Sequence, residues 1–355
     1  ETSLLVSELS FGSWVTFQEG GQVQAGEKAF ELMHRAYQGG VNFFDNAEAY
    51  AAGDAELIMG KAIGIGLEKG VWEREDLVVS TKIFFGVIPP RDGTGTAKYK
   101  ANRKVMNKMG LSRKHIVEGV AASKRRLKLD TIDLVFCHRW DPVANMEEVV
   151  RAFNELILRG DIFYWGTSEW TAQQIERARS IASRLNLVGP AFDQTHYNLF
   201  ERTKVEVDYL PLYPALGLTT WSPLCGGVLT GKYAEGIPPG SRLSLEEFKR
   251  RPDYDYFQKQ VQAAEKLRPI AQKLGVTMGQ LALAWVLKNP NVSTVITGAT
   301  SLEQVDENLG SIAVMEKLDD TLMAKIDQLF KTKPKYPAEI QMVEKIRYAK
   351  LRSKY

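Results

Sequence analysis

Cysteine is scarce. The 355 residues contain two, Cys137 and Cys225, far apart in sequence and set in apolar or glycine-rich surroundings, which excludes a disulfide framework and a cysteine-based metal spacing. No metal is expected, and a reducing compartment fits. Long apolar runs are missing as well: none approaches the roughly 20 residues that span a bilayer, and no charged-then-apolar leader opens the chain. The sequence therefore reads as cytoplasmic, without membrane insertion. Nor does one sign of charge dominate. A net charge of +3 creates no field that would gather nucleic acid, and the Lys and Arg density in 98–108 and 345–354 reads as solvated faces.

What is present is apolar substance in a regular rhythm. Hydrophobic residues make up 44% of the chain, enough for a large core. Strand-like runs SFGSW, NFF, LVVSTKI, IDLVF, FYWG, AFDQT, LTTWS and STVIT alternate with helical periodicity at 27–39, 55–66, 112–128, 146–159, after Thr171, around 201–210 and over 260–288. Capping-box spacings open three helices: Thr171 with Gln174, Thr277 with Gln280, and Ser301 with Gln304. Eight βα units with buried strands indicate an α/β chain folded as a single (β/α)₈ TIM barrel over residues 1–330, followed by a basic C-terminal extension, 331–355. The G-x-G-x-x-G fingerprint of a dinucleotide-binding sheet is absent from the first turn. Two long segments, 86–110 and 222–259, follow strands, which puts them on the C-terminal face where barrel enzymes build their sites.

Polar residues gather at the C-terminal ends of successive strands: Asp45 and Tyr50 after the second, Lys82 near the end of the third, His138 at the end of the fourth. A lysine inside LVVSTKIFF needs a counter-charge, and Asp45 on the neighbouring strand is the candidate. An unperturbed tyrosine titrates near ~10 and is a poor acid. A unit charge at ~4 Å in an effective dielectric of ~20 is worth about 4 kcal/mol, so Lys82 is expected to make Tyr50 a proton donor by lowering its pKa. His138 would then orient a substrate oxygen. Taken singly, Asp45 could cap a turn, Tyr50 could be packing and His138 a turn residue; together at successive strand ends they point to carbonyl reduction. No side chain supplies hydride, so a nicotinamide cofactor is implied.

The motifs NFFDNAEAYAAGDAE, TKIFFG, GLSRKHIVEG, YWGTSEW, WSPLCGGVLTGKY, GIPPGSRLS and TGATSLEQVDENLG, in this order over residues 5 to about 330, resemble the aldo-keto reductases. Within that superfamily the resemblance is greatest to the branch containing the voltage-gated potassium channel β-subunits. It implies a catalytic tetrad of Asp45, Tyr50, Lys82 and His138. The channel subunits typically carry Asn where this chain has His138, which favours a working reductase here.

The resemblance also implies NADPH/NADP⁺ and its contacts. Trp14 and Gln22 match the nicotinamide and substrate side, where Asp45 also lies, and Ser168 and Gln194 match the pair that holds the carboxamide. Beside them stands Glu169, where the channel subunits usually have Arg. Trp221 matches a ring that stacks on the nicotinamide; Ser222, Leu224 and Gly226 match the backbone at the pyrophosphate, with Lys232 and Arg242 bringing positive charge to the phosphates. Gly298, Thr300, Gln304, Glu307 and Asn308 match the adenosine side, and Ser301 opens a helix whose N-terminus faces a phosphate. Arg242 and the loop at Thr300 favour NADPH over NADH.

The expected wall of the substrate pocket is aromatic, from Trp14, Phe84, Trp140 and Trp170. Segment 86–110, with Arg91, Lys98, Lys100, Arg103, Lys104 and Lys108 against Asp92, is expected to form a flap favouring polar or anionic carbonyl substrates. Two other readings stay open: an NADPH-holding accessory subunit with slow or no turnover, and a cofactor-free barrel using Lys82 as a Schiff-base amine. A small-molecule carbonyl substrate is the expected partner. A homo-oligomer is left open, and a potassium channel partner is not favoured.

Overall fold

Side chains of a strand alternate between its two faces, and that period of two governs this molecule. The computed structural model describes residues 2–14, 18, 19, 22, 23, 26–87, 103–250 and 254–335. Its strands are β1 (Leu9–Gly12), the ribbon pair β2 (Gln18–Glu19) and β3 (Gln22–Val23), then β4 (Phe43–Asp45), β5 (Val78–Ile83), β6 (Ile132–Cys137), β7 (Ile162–Ser168), β8 (Phe192–His196), β9 (Gly217–Trp221) and β10 (Thr294–Thr297). All eight strands read from the sequence form. They close in the order β1-β10-β9-β8-β7-β6-β5-β4, each pair parallel. The fold is a (β/α)₈ barrel.

The helices are α1 (Gly26–Gln38), α2 (Asp54–Glu68), α3 (Arg113–Leu127), α4 (Met146–Leu158), α5 (Ala172–Arg184), α6 (Glu246–Lys249), α7 (Tyr254–Ala264), α8 (Arg268–Leu274), α9 (Met278–Leu287), α10 (Leu302–Leu309), α11 (Ser311–Met315) and α12 (Asp320–Phe330). The capping boxes at Thr171 and Thr277 form in full. The third forms by half: Ser301 accepts from the Gln304 amide, but Gln304 Oε1 accepts from Thr300 N at 2.9 Å rather than from the cap residue. The helix expected over 201–210 is instead a π-helical turn, Lys204–Asp208, followed by a 3₁₀ turn, Leu210–Leu212. Pro211 lacks an N–H and biases the residue before it away from helix, so a regular helix cannot run through.

Alternation sorts the strand residues into two cores. Phe44, Val79, Ile83, Val135, Cys137 and Trp165 point out and join the main core with the helices. Phe43, Val78, Leu134, Phe136 and Phe192 point in and form a separate cluster, with Tyr164 packed against it. Two residues further along the same inward rows come Asp45, Ser80 and Gln194, with Lys82 two beyond Ser80; the register pairs Asp45 with Ser80, Lys82 with Phe136 and Ser168 with Gln194. The barrel interior is thus apolar below and polar at its C-terminal end. The site stands on a greasy floor.

The ends of the expected flap are tied down. Glu48 Oε1 accepts from Phe84 N and Gly86 N at 2.8 Å each, and Gly110 N donates to Phe84 O at 2.7 Å. Burial pulls the His115 imidazole toward the neutral form, but its bond to Glu48 and the Gly110 carbonyl outweigh that and raise its pKa. The flap expected over 86–110 lies largely outside the described residues, as does the tail beyond Lys335.

The interior leaves no spare room at Gly166. A Cβ there would lie 2.1 Å from the Phe192 ring and 2.4 Å from the Phe192 carbonyl oxygen. Gly166→Ala should therefore cost about 1–3 kcal/mol despite alanine's lower entropy cost, read as a lower urea midpoint; an unchanged midpoint contradicts this packing.

Candidate active site

Asp45 is the last residue of β4, and the turn after it delivers Tyr50. That turn is tight: Ala51 and Ala52 take φ of 48° and 53°, a region their small side chains enter only with strain. Lys82 comes up from β5 and His138 follows β6. Lys82 is fully buried. An ammonium has three N–H donors, and each finds an acceptor: Asp45 Oδ2 at 2.6 Å, the Asn46 carbonyl at 2.7 Å and the Tyr50 hydroxyl oxygen at 3.1 Å. Asp45 Oδ1 accepts from Ser80 Oγ at 2.7 Å and Gln194 Nε2 at 3.0 Å. Both halves of the ion pair are saturated. Because Tyr50 accepts from Lys82, its own O–H is free to point into the cavity above.

The electrostatics correct one expectation. Burial is the largest influence on Tyr50 and raises its pKa; Lys82 lowers it, Asp45 raises it again, and the phenol ends above its ordinary value of 10.0. The sequence reading counted the cation and not the carboxylate that neutralises it. For Lys82, burial disfavours the charge, yet Asp45 and Tyr50 outweigh that and hold its pKa above 10.5. Burial, then Lys82 and Arg139, push His138 well below 6.5, so its imidazole is neutral at pH 7. It meets the Tyr50 ring edge-on at 5.9 Å and the Phe85 ring at 5.0 Å. Its buried Nδ1 has no hydrogen-bond partner among the described residues.

Above these residues opens a cavity of about 790 Å³. It brings together Trp14, Asp45, Tyr50, His138, Ser168 and Gln194 at one end, Trp221, Ser222, Leu224, Gly226, Lys232 and Arg242 along its length, and Gly298, Thr300, Gln304, Glu307 and Asn308 at the other. Lys82 lies beneath Tyr50 rather than on the cavity wall. Gln22 sits in the ribbon strand β3, and the contact expected of its side chain lies outside the described residues. Gly226 and Gly227 adopt φ of 65° and 91°, where a side chain is strained, and a Cβ on Gly227 would meet Lys232 Cε at 2.8 Å. Burial lowers the Lys232 pKa, helped by Arg242, whose guanidinium caps the Trp14 ring at 5.6 Å.

The aromatic wall differs from expectation. Trp14 and Phe85 line the cavity, whereas Phe84 packs against the core and Trp140 meets the buried Trp170 edge-on at 5.0 Å. Alternation continued from the inward Lys82 would have put Phe84 on the cavity, but the strand ends at Ile83 and the parity is lost there, so Phe85 faces the cavity instead.

Glu169 has a structural role that the sequence did not reveal. In the left-handed region at φ 60°, it accepts from His196 N at 2.6 Å, Lys204 Nζ at 2.7 Å and Trp221 Nε1 at 2.9 Å. Burial raises its pKa, but Lys204 prevails and the net value is lowered. His196 stacks on Trp221 at 4.3 Å and 13°, so the indole is gripped by both face and edge. Ser80 was also missed, although its signal was present: it lies two residues before Lys82, on the same inward row.

The Aldo/keto reductase family model matches residues 8–331. A protein named "Probable voltage-gated potassium channel subunit beta" from Arabidopsis thaliana is 49% identical over 340 residues, covering 95% of this chain and 97% of that protein. Its namesake from Oryza sativa subsp. japonica is 49% identical over 338 residues, 94% of this chain and 96% of that one. The "Putative voltage-gated potassium channel subunit beta" of Schizosaccharomyces pombe is 44% identical over 338 residues, 94% and 92% of the two chains.

Removing one half of a saturated buried pair strands the other. Lys82→Met should lower unfolding free energy by about 3–5 kcal/mol, and adding Asp45→Asn should restore part of it. Urea titration of both variants checks this, and a single variant as stable as wild type contradicts it.

Proposed function

Because the chain belongs to the Aldo/keto reductase family, we propose that it is an NADPH-dependent oxidoreductase that reduces an aldehyde or ketone carbonyl to an alcohol. The observation that carries this reading is the Tyr50 hydroxyl, which accepts from Lys82 and so keeps its proton for the cavity. The proposed catalytic residues are Asp45, Tyr50, Lys82 and His138.

The cavity fits the cofactor. Its middle offers the positive-φ glycines Gly226 and Gly227, beside which a backbone can approach a pyrophosphate, with Lys232 and Arg242 as the matching cations. Ser168 and Gln194 would hold the carboxamide, Trp221 the ring, and the Thr300 to Asn308 segment the adenosine. The cation at Arg242 supports NADPH over NADH. When bound, this cofactor supplies the hydride.

The remaining chemistry belongs to the protein. His138, neutral and edge-on to Tyr50, donates an N–H to the carbonyl oxygen and fixes its direction. Tyr50 gives that oxygen its proton, and the phenolate left behind is stabilised by the Lys82 ammonium at 3.1 Å. Asp45 keeps Lys82 charged. A raised Tyr50 pKa suits a proton donor here. A forming alkoxide is more basic than a phenolate, so the donor needs only to stay protonated until the oxygen becomes basic.

The high identity to proteins named as potassium channel β-subunits favours a second reading, an NADPH-holding accessory subunit with slow turnover. His138, where the channel subunits typically have Asn, supports turnover instead. The Schiff-base reading loses ground, since all three Lys82 donors are occupied and its charge is favoured. Among the described residues no single helix is long and apolar enough to cross a membrane, compatible with the proposed cytoplasmic setting. Residues 1–330 are proposed as the barrel unit and 331–355 as its basic extension.

Screening NADPH oxidation over aldehydes, ketones, sugars and quinones tests the reading; no turnover of any carbonyl, with NADPH bound tightly, would favour the accessory role. Tyr50→Phe should abolish reduction while leaving NADPH binding, followed by fluorescence, nearly intact. With Tyr50 raised and His138 lowered, the reductive kcat should show no break between about pH 6 and about pH 9. A break near neutrality would contradict the assigned protonation states.

A further inference from the structure

Among the described residues, three cations line the cavity: Arg139, Lys232 and Arg242. The last two belong to the arm proposed for the cofactor phosphates, but Arg139 directly follows His138 and stands at the Tyr50 end. Its Nη1 donates to the His138 carbonyl at 2.6 Å and to Ser168 Oγ at 3.3 Å, and its guanidinium lies 6.0 Å from the Phe85 ring centroid. Guanidinium has five N–H donors in a planar fork. Among the described residues, Nε and Nη2 have no acceptor and no carboxylate forms a salt bridge with Arg139.

The two carboxylates that line the cavity among the described residues are already engaged and do not serve as its counter-ion. Asp45 is taken by Lys82 at 2.6 Å, and Glu307, at the far end, accepts from Thr277 Oγ1 at 2.7 Å. A partly buried guanidinium without an anion is unfavourable, and that cost is relieved when a ligand brings the anion. The Coulombic reach of Arg139 extends to both Tyr50 and His138, so the anion would sit within the same small volume as the reacting carbonyl. One guanidinium matches a single negative charge in planar, two-oxygen geometry, which fits a carboxylate; a phosphate dianion would call for a second cation.

We infer that Arg139 is the specificity-determining residue of the substrate site, and that the substrate class is a carbonyl compound bearing a carboxylate near the reacting carbon. This rests on the carbonyl-reductase reading. The free Nε and Nη2 edge pairs with the carboxylate, Phe85 offers an apolar face to the carbon skeleton, and the bond from Nη1 to the His138 carbonyl fixes the spacing between the anion site and the orienting imidazole.

The test compares 4-carboxybenzaldehyde with its uncharged methyl ester, methyl 4-formylbenzoate, on wild type and Arg139→Met. Wild type should prefer the acid, with the preference shrinking as salt rises. In Arg139→Met the acid-to-ester ratio of kcat/KM should fall by about 10- to 100-fold. A ratio unchanged by the substitution, or a wild type indifferent to the carboxylate, overturns the assignment. Calorimetric titration of benzoate into protein with NADP⁺ gives a readout without turnover: Kd should weaken at least about tenfold in Arg139→Met, and equal affinity again overturns it. If wild type reduces neither aldehyde, the reductase reading fails, while the benzoate titration still decides the role of Arg139.

Discussion

A lysine ammonium buried in a protein interior has to be solvated by the protein, and the upper barrel is arranged around that requirement. Lys82 gives one N–H each to Asp45, the Asn46 carbonyl and Tyr50. Asp45 in turn draws a hydroxyl from Ser80 and an amide from Gln194, recruiting residues from β4, β5 and β8. Gln194 is thereby both a brace for the ion pair and a wall of the cavity. Loosening any member leaves a buried polar group unpaired, which is why such a network either holds completely or fails badly.

The barrel makes this possible by keeping bulk water away from the charges. The inward rows carry Phe43, Val78, Leu134, Phe136 and Phe192 below them, so the ion pair rests on a dry floor, with Asp45 and Tyr50 between Lys82 and the cavity. The same burial that strengthens the Lys82–Asp45 attraction raises the Tyr50 pKa. A protonated phenol over a fixed cation, with a neutral imidazole beside it, is an environment that stabilises negative charge appearing on an oxygen above it. Glu169 extends the same principle to the far wall, holding Trp221 by its ring nitrogen.

Much of this was legible from residue order. The apolar runs named every barrel strand, and a lysine inside one of them demanded a carboxylate, for which Asp45 at the neighbouring strand end was the best candidate. Net directions were harder: the sequence shows that Lys82 lies near Tyr50, but not how far burial and Asp45 outweigh it. Contacts between distant residues were harder still. Glu169 reaches Lys204 and Trp221, partners 35 and 52 positions away, and nothing local signals that convergence. At Pro211 local chemistry overrode helical periodicity, and at Phe84 and Phe85 the end of the strand at Ile83 broke the alternation that would have turned Phe84 toward the cavity.

The proposed chemistry stands on the charge of one buried amine. ¹⁵N NMR of Lys82 Nζ, titrated from neutral to alkaline pH in uniformly labelled protein, reads that charge directly. The expected result is an ammonium resonance that persists past about pH 10. A Lys82 that turns neutral with a midpoint below about pH 8 would contradict it, leaving Tyr50 with no cation to stabilise its conjugate base and reopening the amine to covalent chemistry.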